Sequence, residues 1–177
     1  MSATTIDELL ASARAHEADF RGMRAVVPAR HVAIVTCMDS RIDNFAIFGL
    51  DSGEAHIIRN AGGLVTDDVL RSLVVSQRVL QTREILLVHH TDCGLHNADE
   101  NAMRAQIRRE TGTEPSYAFG AFPDLDEAVR QAIARVREHP FLPHRDRVRG
   151  FVYDVHNGHL REVRAQPSAT SGSVSQR

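Results

Sequence analysis

Three short runs constrain this chain more than any other feature. They are His31-Val32-Ala33-Ile34-Val35-Thr36, Ala55-His56-Ile57-Ile58-Arg59 and Glu84-Ile85-Leu86-Leu87-Val88-His89. The first is β-branched and close to continuously apolar, whereas a strand with one wet face alternates apolar and polar, and the other two are further strand candidates. A run like the first belongs to a sheet covered on both faces, and strands alternating with helices supply that cover. The intervening sequence supplies them. Thr66 can cap a helix whose positive first turn takes Asp67 and Asp68, with Leu70, Leu73, Val74 and Leu80 as its apolar stripe. Asp124 to Glu138 carries Leu125, Ala128, Val129, Ala132, Ile133 and Val136 at helical spacing, with Pro140 beyond. A more polar helix is expected from Asp99 to Glu110, solvent-exposed and ended by Gly112.

Both ends of the chain add to this frame. Thr5-Ile6-Asp7-Glu8 reads as a capping box opening a first helix. Its apolar residues Ile6, Leu9, Leu10, Ala13 and Phe20 face either their own domain or a partner subunit, and Gly22 stops the run. Near the other end, a strand from Arg149 to Val155 turns at Asn157-Gly158 into a return strand, Leu160 to Val163. The expected fold is α/β, a mostly parallel central sheet of about four strands with an antiparallel edge strand, flanked by helices. Residues 1–164 form one domain, and 165–177, rich in Gln, Pro, Ser, Thr and Gly, read as a disordered tail.

Composition narrows the partners. Lys and Arg total 21 against 23 Asp and Glu, a net charge of −2, which argues against nucleic acid or a membrane surface as a partner. The N-terminus has no apolar core of a signal peptide, and no stretch approaches the ~18 apolar residues of a membrane span. A cytoplasmic location is expected. In that reducing compartment the two cysteines can be metal thiolates, a catalytic thiol or inert core thiols more readily than a disulfide.

In open α/β sheets ligands bind beyond the carboxyl ends of the strands. Cys37 directly follows the first strand, within Cys37-Met38-Asp39-Ser40-Arg41, and Cys93 closes His89-His90-Thr91-Asp92-Cys93 after the third. If those strands are neighbours, the two loops meet. The spacing His90-x-x-Cys93 lets one turn present an imidazole and a thiolate to one ion. With Cys37 the set suits zinc with an open fourth position, the pattern of catalytic rather than structural sites. A surface histidine beside a buried cysteine is the plainer alternative. A nucleophilic Cys37 in a phosphate loop fits less well, because Arg41 follows too soon and Asp39 would repel an anion. In an extended chain Cys37, Asp39 and Arg41 would lie in one row, with Asp39 paired to Arg41 beside the metal.

Cys37-x-Asp39-Ser40-Arg41, then Arg59-Asn60-Ala61-Gly62-Gly63, then His90-x-x-Cys93, in that order, resembles the β-class carbonic anhydrase family in its compact bacterial and archaeal branch. That branch includes relatives that hydrolyse carbonyl sulfide or carbon disulfide. The resemblance implies zinc (Zn2+) on Cys37, His90 and Cys93, with Asp39 and Arg41 as a catalytic dyad. Asp39 becomes a ligand itself only in a closed form. The implied reaction is hydration of CO2 to bicarbonate by a metal-bound hydroxide. Carbonyl sulfide hydrolysis and a non-catalytic zinc scaffold are the alternatives, and the implied assembly is a homodimer or a higher homo-oligomer. The paired glycines imply close backbone approach, although a more usual member has Asn at the position of Gly63. Some members bind a non-catalytic bicarbonate through a tryptophan. This chain has none, so the resemblance does not extend to that site.

Overall fold

The structure, a computed structural model, describes residues 4–20, 22 and 24–164, so the expected tail at 165–177 lies outside the described residues. Its strands are β1 (Val32–Cys37), β2 (Ala55–Asn60), β3 (Glu84–His90), β4 (Val148–Tyr153) and β5 (Leu160–Val163). They form one sheet in the order β2-β1-β3-β4-β5. The first four strands are mutually parallel and β5 is antiparallel to β4. β1 and β3 are therefore direct neighbours, with Thr36 opposite Val88. Their carboxyl ends adjoin, as the sequence requires if the two cysteine loops are to meet.

The helices are α1 (Thr5–Asp19), α2 (Asn44–Phe48), α3 (Asp67–Arg78), α4 (Glu100–Thr111) and α5 (Leu125–Glu138). α3 and α5 start where expected, with Thr66 and Asp124 accepting from the backbone N–H of Val69 and Glu127. They cover one face of the sheet. Leu73, Val129, Ile133 and Val136 there bury against Ala33, Val35, Ile85 and Leu87. Each such side chain contributes about 1.5–3 kcal/mol by leaving water. α5 approaches β4 closely because residue 150 is glycine: a Cβ there would lie 2.4 Å from Val129 and 2.8 Å from Ile133. On the other face Ile34 and Val88 pack with Leu50 and Phe48. α4 buries nothing, as its polar face implies, and Gly112 ends it in the left-handed region at φ 77°. Leu80 falls just beyond the end of α3.

Two local expectations change. The capping box of α1 is one residue earlier than Thr5-x-x-Glu8. Thr4 caps Asp7, and the Asp7 carboxylate accepts from the Thr4 N–H at 2.8 Å, because an aspartate at that position completes the box as well as a glutamate does. α1 also buries none of its residues, with Ile6 and Leu9 67% and 64% exposed, so its apolar stripe is not packed on its own domain. α2 was not expected. It is a single short turn, capped by Asp43 and closed by Gly49, too brief for helical periodicity to register. No helix among the described residues is long and apolar enough to cross a membrane.

Candidate metal centre

The two cysteine loops do meet. One donor atom each from Cys37, His90 and Cys93 lies within 4.8 Å of the others, and all three residues are buried. Cys37 is the last residue of β1 and His90 the last of β3, so sheet register fixes both. Cys93 is carried by a turn in which Asp92 has φ 54°.

The imidazole is set for metal. His90 Nδ1 lies 2.8 Å from the Thr91 carbonyl, to which only an N–H can donate. That tautomer leaves the Nε2 lone pair free, and Nε2 is buried without a hydrogen-bond partner. A buried nitrogen without a hydrogen-bond partner, set beside two thiols, makes a donor set that a cation would satisfy. The residues present therefore fit a metal ion of borderline softness, of which zinc is the natural case.

The thiols are prepared as well. Burial pushes Cys37 up, but the adjacent His90 side chain and the backbone N–H groups of Asp39 and Gly62 outweigh it and bring the thiol down to about 7. Cys93 is pushed up by burial, opposed by the N–H groups of Leu95 and His96, with the neighbouring Cys37 adding to the rise. Two thiolates side by side without a cation repel, so Cys37 ionises first. Gly63 makes this packing possible. A Cβ there would sit 2.9 Å from the Cys37 nitrogen and 3.0 Å from the Thr36 carbonyl carbon, and its φ is 66°.

Asp39 and Arg41 are brought together as expected, by a different geometry. They do not lie in an extended row. The chain turns, with Ile42 N–H donating to the Asp39 carbonyl, and the Asp39 carboxylate accepts the Arg41 backbone N–H at 2.9 Å. The guanidinium then pairs with it in a fork, Nε to Oδ1 at 2.9 Å and Nη2 to Oδ2 at 2.7 Å. The Arg41 side chain and backbone hold the Asp39 carboxyl well below the usual carboxylate range. Asp39 Oδ2 lies 3.9 Å from His90 Nε2, which places the carboxylate beside the three donors.

In the sequence Arg59 stands out only within Arg59-Asn60-Ala61-Gly62-Gly63. Its Nε and Nη2 donate to the carbonyls of Cys37 and Asp39 at 3.0 and 2.6 Å, fixing the backbone that carries both. Its place at the end of β2, opposite Thr36, is the only sequence-level signal for this, and it depends on strand order. Ile42 joins the apolar cluster around the two thiols with Leu95 and Phe122, and Ile47 and Leu64 pack on it. Phe48 packs in the cluster on the other sheet face, and Phe45 is half exposed. His89 faces away from His90, as alternation requires.

Comparisons with known proteins agree with one another. A family profile described as carbonic anhydrase matches residues 32–160. β-Carbonic anhydrase 1 of Mycobacterium tuberculosis is 46% identical over 160 residues, covering 90% of this chain and 98% of that protein. A carbon disulfide hydrolase of Acidithiobacillus thiooxidans is 30% identical, over 82% of this chain and 87% of its own length. Among solved structures, a carbonic anhydrase from Streptococcus mutans superposes with a TM-score of 0.86 at 39% identity, covering 93% of this chain and 100% of that one.

Proposed function

The chain belongs to the β-carbonic anhydrase family, and on that premise we propose that it catalyses the reversible hydration of CO2 to bicarbonate at a zinc ion held by Cys37, His90 and Cys93. The observation that carries this is the orphaned Nε2 of His90 within reach of two thiols. Zinc, when bound, acidifies a water and so supplies the nucleophile that CO2 requires. Two thiolates and a neutral imidazole cancel its charge, so the surrounding residues must assist more than in an all-histidine site. Asp39, kept ionised by Arg41, is the acceptor that orients the attacking oxygen. Arg41 holds that carboxylate away from the metal position and supplies a nearby positive charge. The apolar cluster of Ile42, Leu95 and Phe122 around the thiols suits a small, linear, nonpolar substrate. Arg59 and Gly63 keep the backbone in register beneath it.

Hydrolysis of carbon disulfide or carbonyl sulfide at the same site is the second reading, favoured by the resemblance to carbon disulfide hydrolases. Turnover of CO2, carbonyl sulfide and carbon disulfide by the zinc-loaded protein in parallel separates the two. CO2 hydration is expected to dominate, and failure on all three would leave only a zinc-binding scaffold. The exposed apolar stripe of α1 supports assembly into a homodimer or larger homo-oligomer. Reduced thiol ligands support a cytoplasmic setting, and residues 1–164 are taken as one catalytic unit.

A further inference from the structure

The turn between β4 and β5 reaches the metal loop through side chains that the proposed reaction does not use. Thr91 N–H donates to the Tyr153 carbonyl at 3.0 Å, and Thr91 Oγ1 accepts from Val155 N–H at 3.1 Å and donates to Asp154 Oδ1 at 3.3 Å. The next contact is between His156 Nε2 and Asp92 Oδ2, at 2.6 Å. His156 is itself held, its backbone N–H donating to Asp154 Oδ1 at 2.9 Å, and Asn157 Nδ2 donates to the other carboxylate oxygen.

Asp92 is the pivot. Its φ of 54° lies in the left-handed region, so its conformation has to be imposed by its surroundings. Its carbonyl accepts from Arg41 Nη2 at 3.0 Å, and the same Nη2 donates to Asp39 Oδ2 at 2.7 Å. The Asp92 carbonyl is thus the second anchor of the guanidinium that restrains Asp39. On its other side Asp92 is bonded directly to Cys93.

Building on the zinc site proposed above, we infer that His156 is a positioning residue: by clamping the Asp92 carboxylate it fixes the turn that presents Cys93 and the carbonyl that anchors Arg41. The clamp is not part of the fold's stability. Both side chains are more than half exposed, and an exposed pair of this kind adds little to folding. What it constrains is the direction of one carbonyl and one thiolate. An exposed pair worth up to about 1 kcal/mol can change metal retention and rate by up to about fivefold when it orients a ligand's turn.

The test compares the zinc-loaded full chain with His156→Ala and His156→Gln. Glutamine places its amide N–H near the position of the histidine Nε2 and can still donate to Asp92. Zinc transfer to a chromogenic chelator is followed first, because it requires no turnover. His156→Ala is expected to release zinc about two- to fivefold faster, with an unchanged melting temperature and a lower kcat at nearly constant KM. His156→Gln is expected to return both release and kcat to near the wild-type values. Zinc release from His156→Ala at the wild-type rate overturns the inference, and so does a glutamine variant as impaired as the alanine one. If the wild-type protein holds zinc but hydrates no CO2, the proposed reaction fails while the release comparison still decides the place of His156.

Discussion

His89 and His90 are adjacent in sequence, each about 1% exposed, and the regions they enter are chemical opposites. His90 projects at the carboxyl edge of β3, where one nitrogen is fixed by a carbonyl and the other is aimed at two thiols. His89 shares its face with Leu87 and Ile85, under α5 and beside Phe122 at 5.8 Å between ring centroids. Both of its nitrogens are buried without partners. Burial alone therefore does not identify a functional histidine. What distinguishes His90 is a second partner that fixes its tautomer, together with like-minded donors at its free nitrogen.

The sharpest way to break this contrast is to remove the donor itself. His90→Ala should leave a protein that retains no zinc after dialysis and shows no hydration above the uncatalysed rate, checked by metal analysis and stopped-flow. A zinc-retaining, active His90→Ala would dissolve the distinction between the two histidines.

His89 should appear in stability rather than in catalysis. Burial, with the neighbouring His90 adding to it, pushes its pKa down from the ordinary 6.5 to about 4. Between those values the unfolded chain binds more protons than the folded one. Its contribution is therefore complete above pH ~6.5 and is lost as pH falls towards 4, by about 3 kcal/mol. Chemical denaturation of the metal-free protein across this range should show a steeper slope in the wild type than in His89→Leu, where the half-buried His56, also lowered by burial, still contributes. Because no hydrogen bond is lost, His89→Leu should be at least as stable as the wild type at neutral pH.

The smallest of the three effects concerns the carboxylate beside His90. Asp39→Asn removes the charge that Arg41 holds without touching a proposed zinc donor. It should bind zinc normally and lose roughly 10–100-fold in kcat. Unchanged turnover would move Asp39 out of the chemistry and reduce the contrast between the two regions to metal binding alone.

Much of this was legible because the signals are local. The apolar run around Ile34 marked a strand buried on both faces, the runs around Ile57 and Leu87 marked further strands, of which the first is the half-buried edge of the sheet, and Thr66 and Asp124 marked where α3 and α5 begin. The two cysteine loops were recognisable by residue type and spacing. Elements with short or ambiguous codes were not legible. α2 is too brief to carry a period, and the first capping box could be placed on either of two consecutive threonines. The Asp39–Arg41 pair was expected for the right residues by the wrong route, since a turn and an extended row can juxtapose the same two side chains. α1 marks the limit of periodicity: its stripe has helical spacing like that of α5, yet one is exposed and the other buried. Spacing specifies that a face exists, and only the surrounding chain specifies what covers it.

By itself the sequence determined the alternating α/β frame and the identity of the donors, because backbone propensity, capping and ligand chemistry reside in single residues and short spacings. The tertiary structure decided that β1 lies beside β3, which brings Cys37 to His90 and Cys93 across more than fifty residues of chain. It also decided that Arg59 braces the first loop from β2 and that His156 clamps the second from the β4–β5 turn. These depend on strand order and on the path of turns, which are set by the packing of the whole sheet and leave no trace in any local stretch of residues.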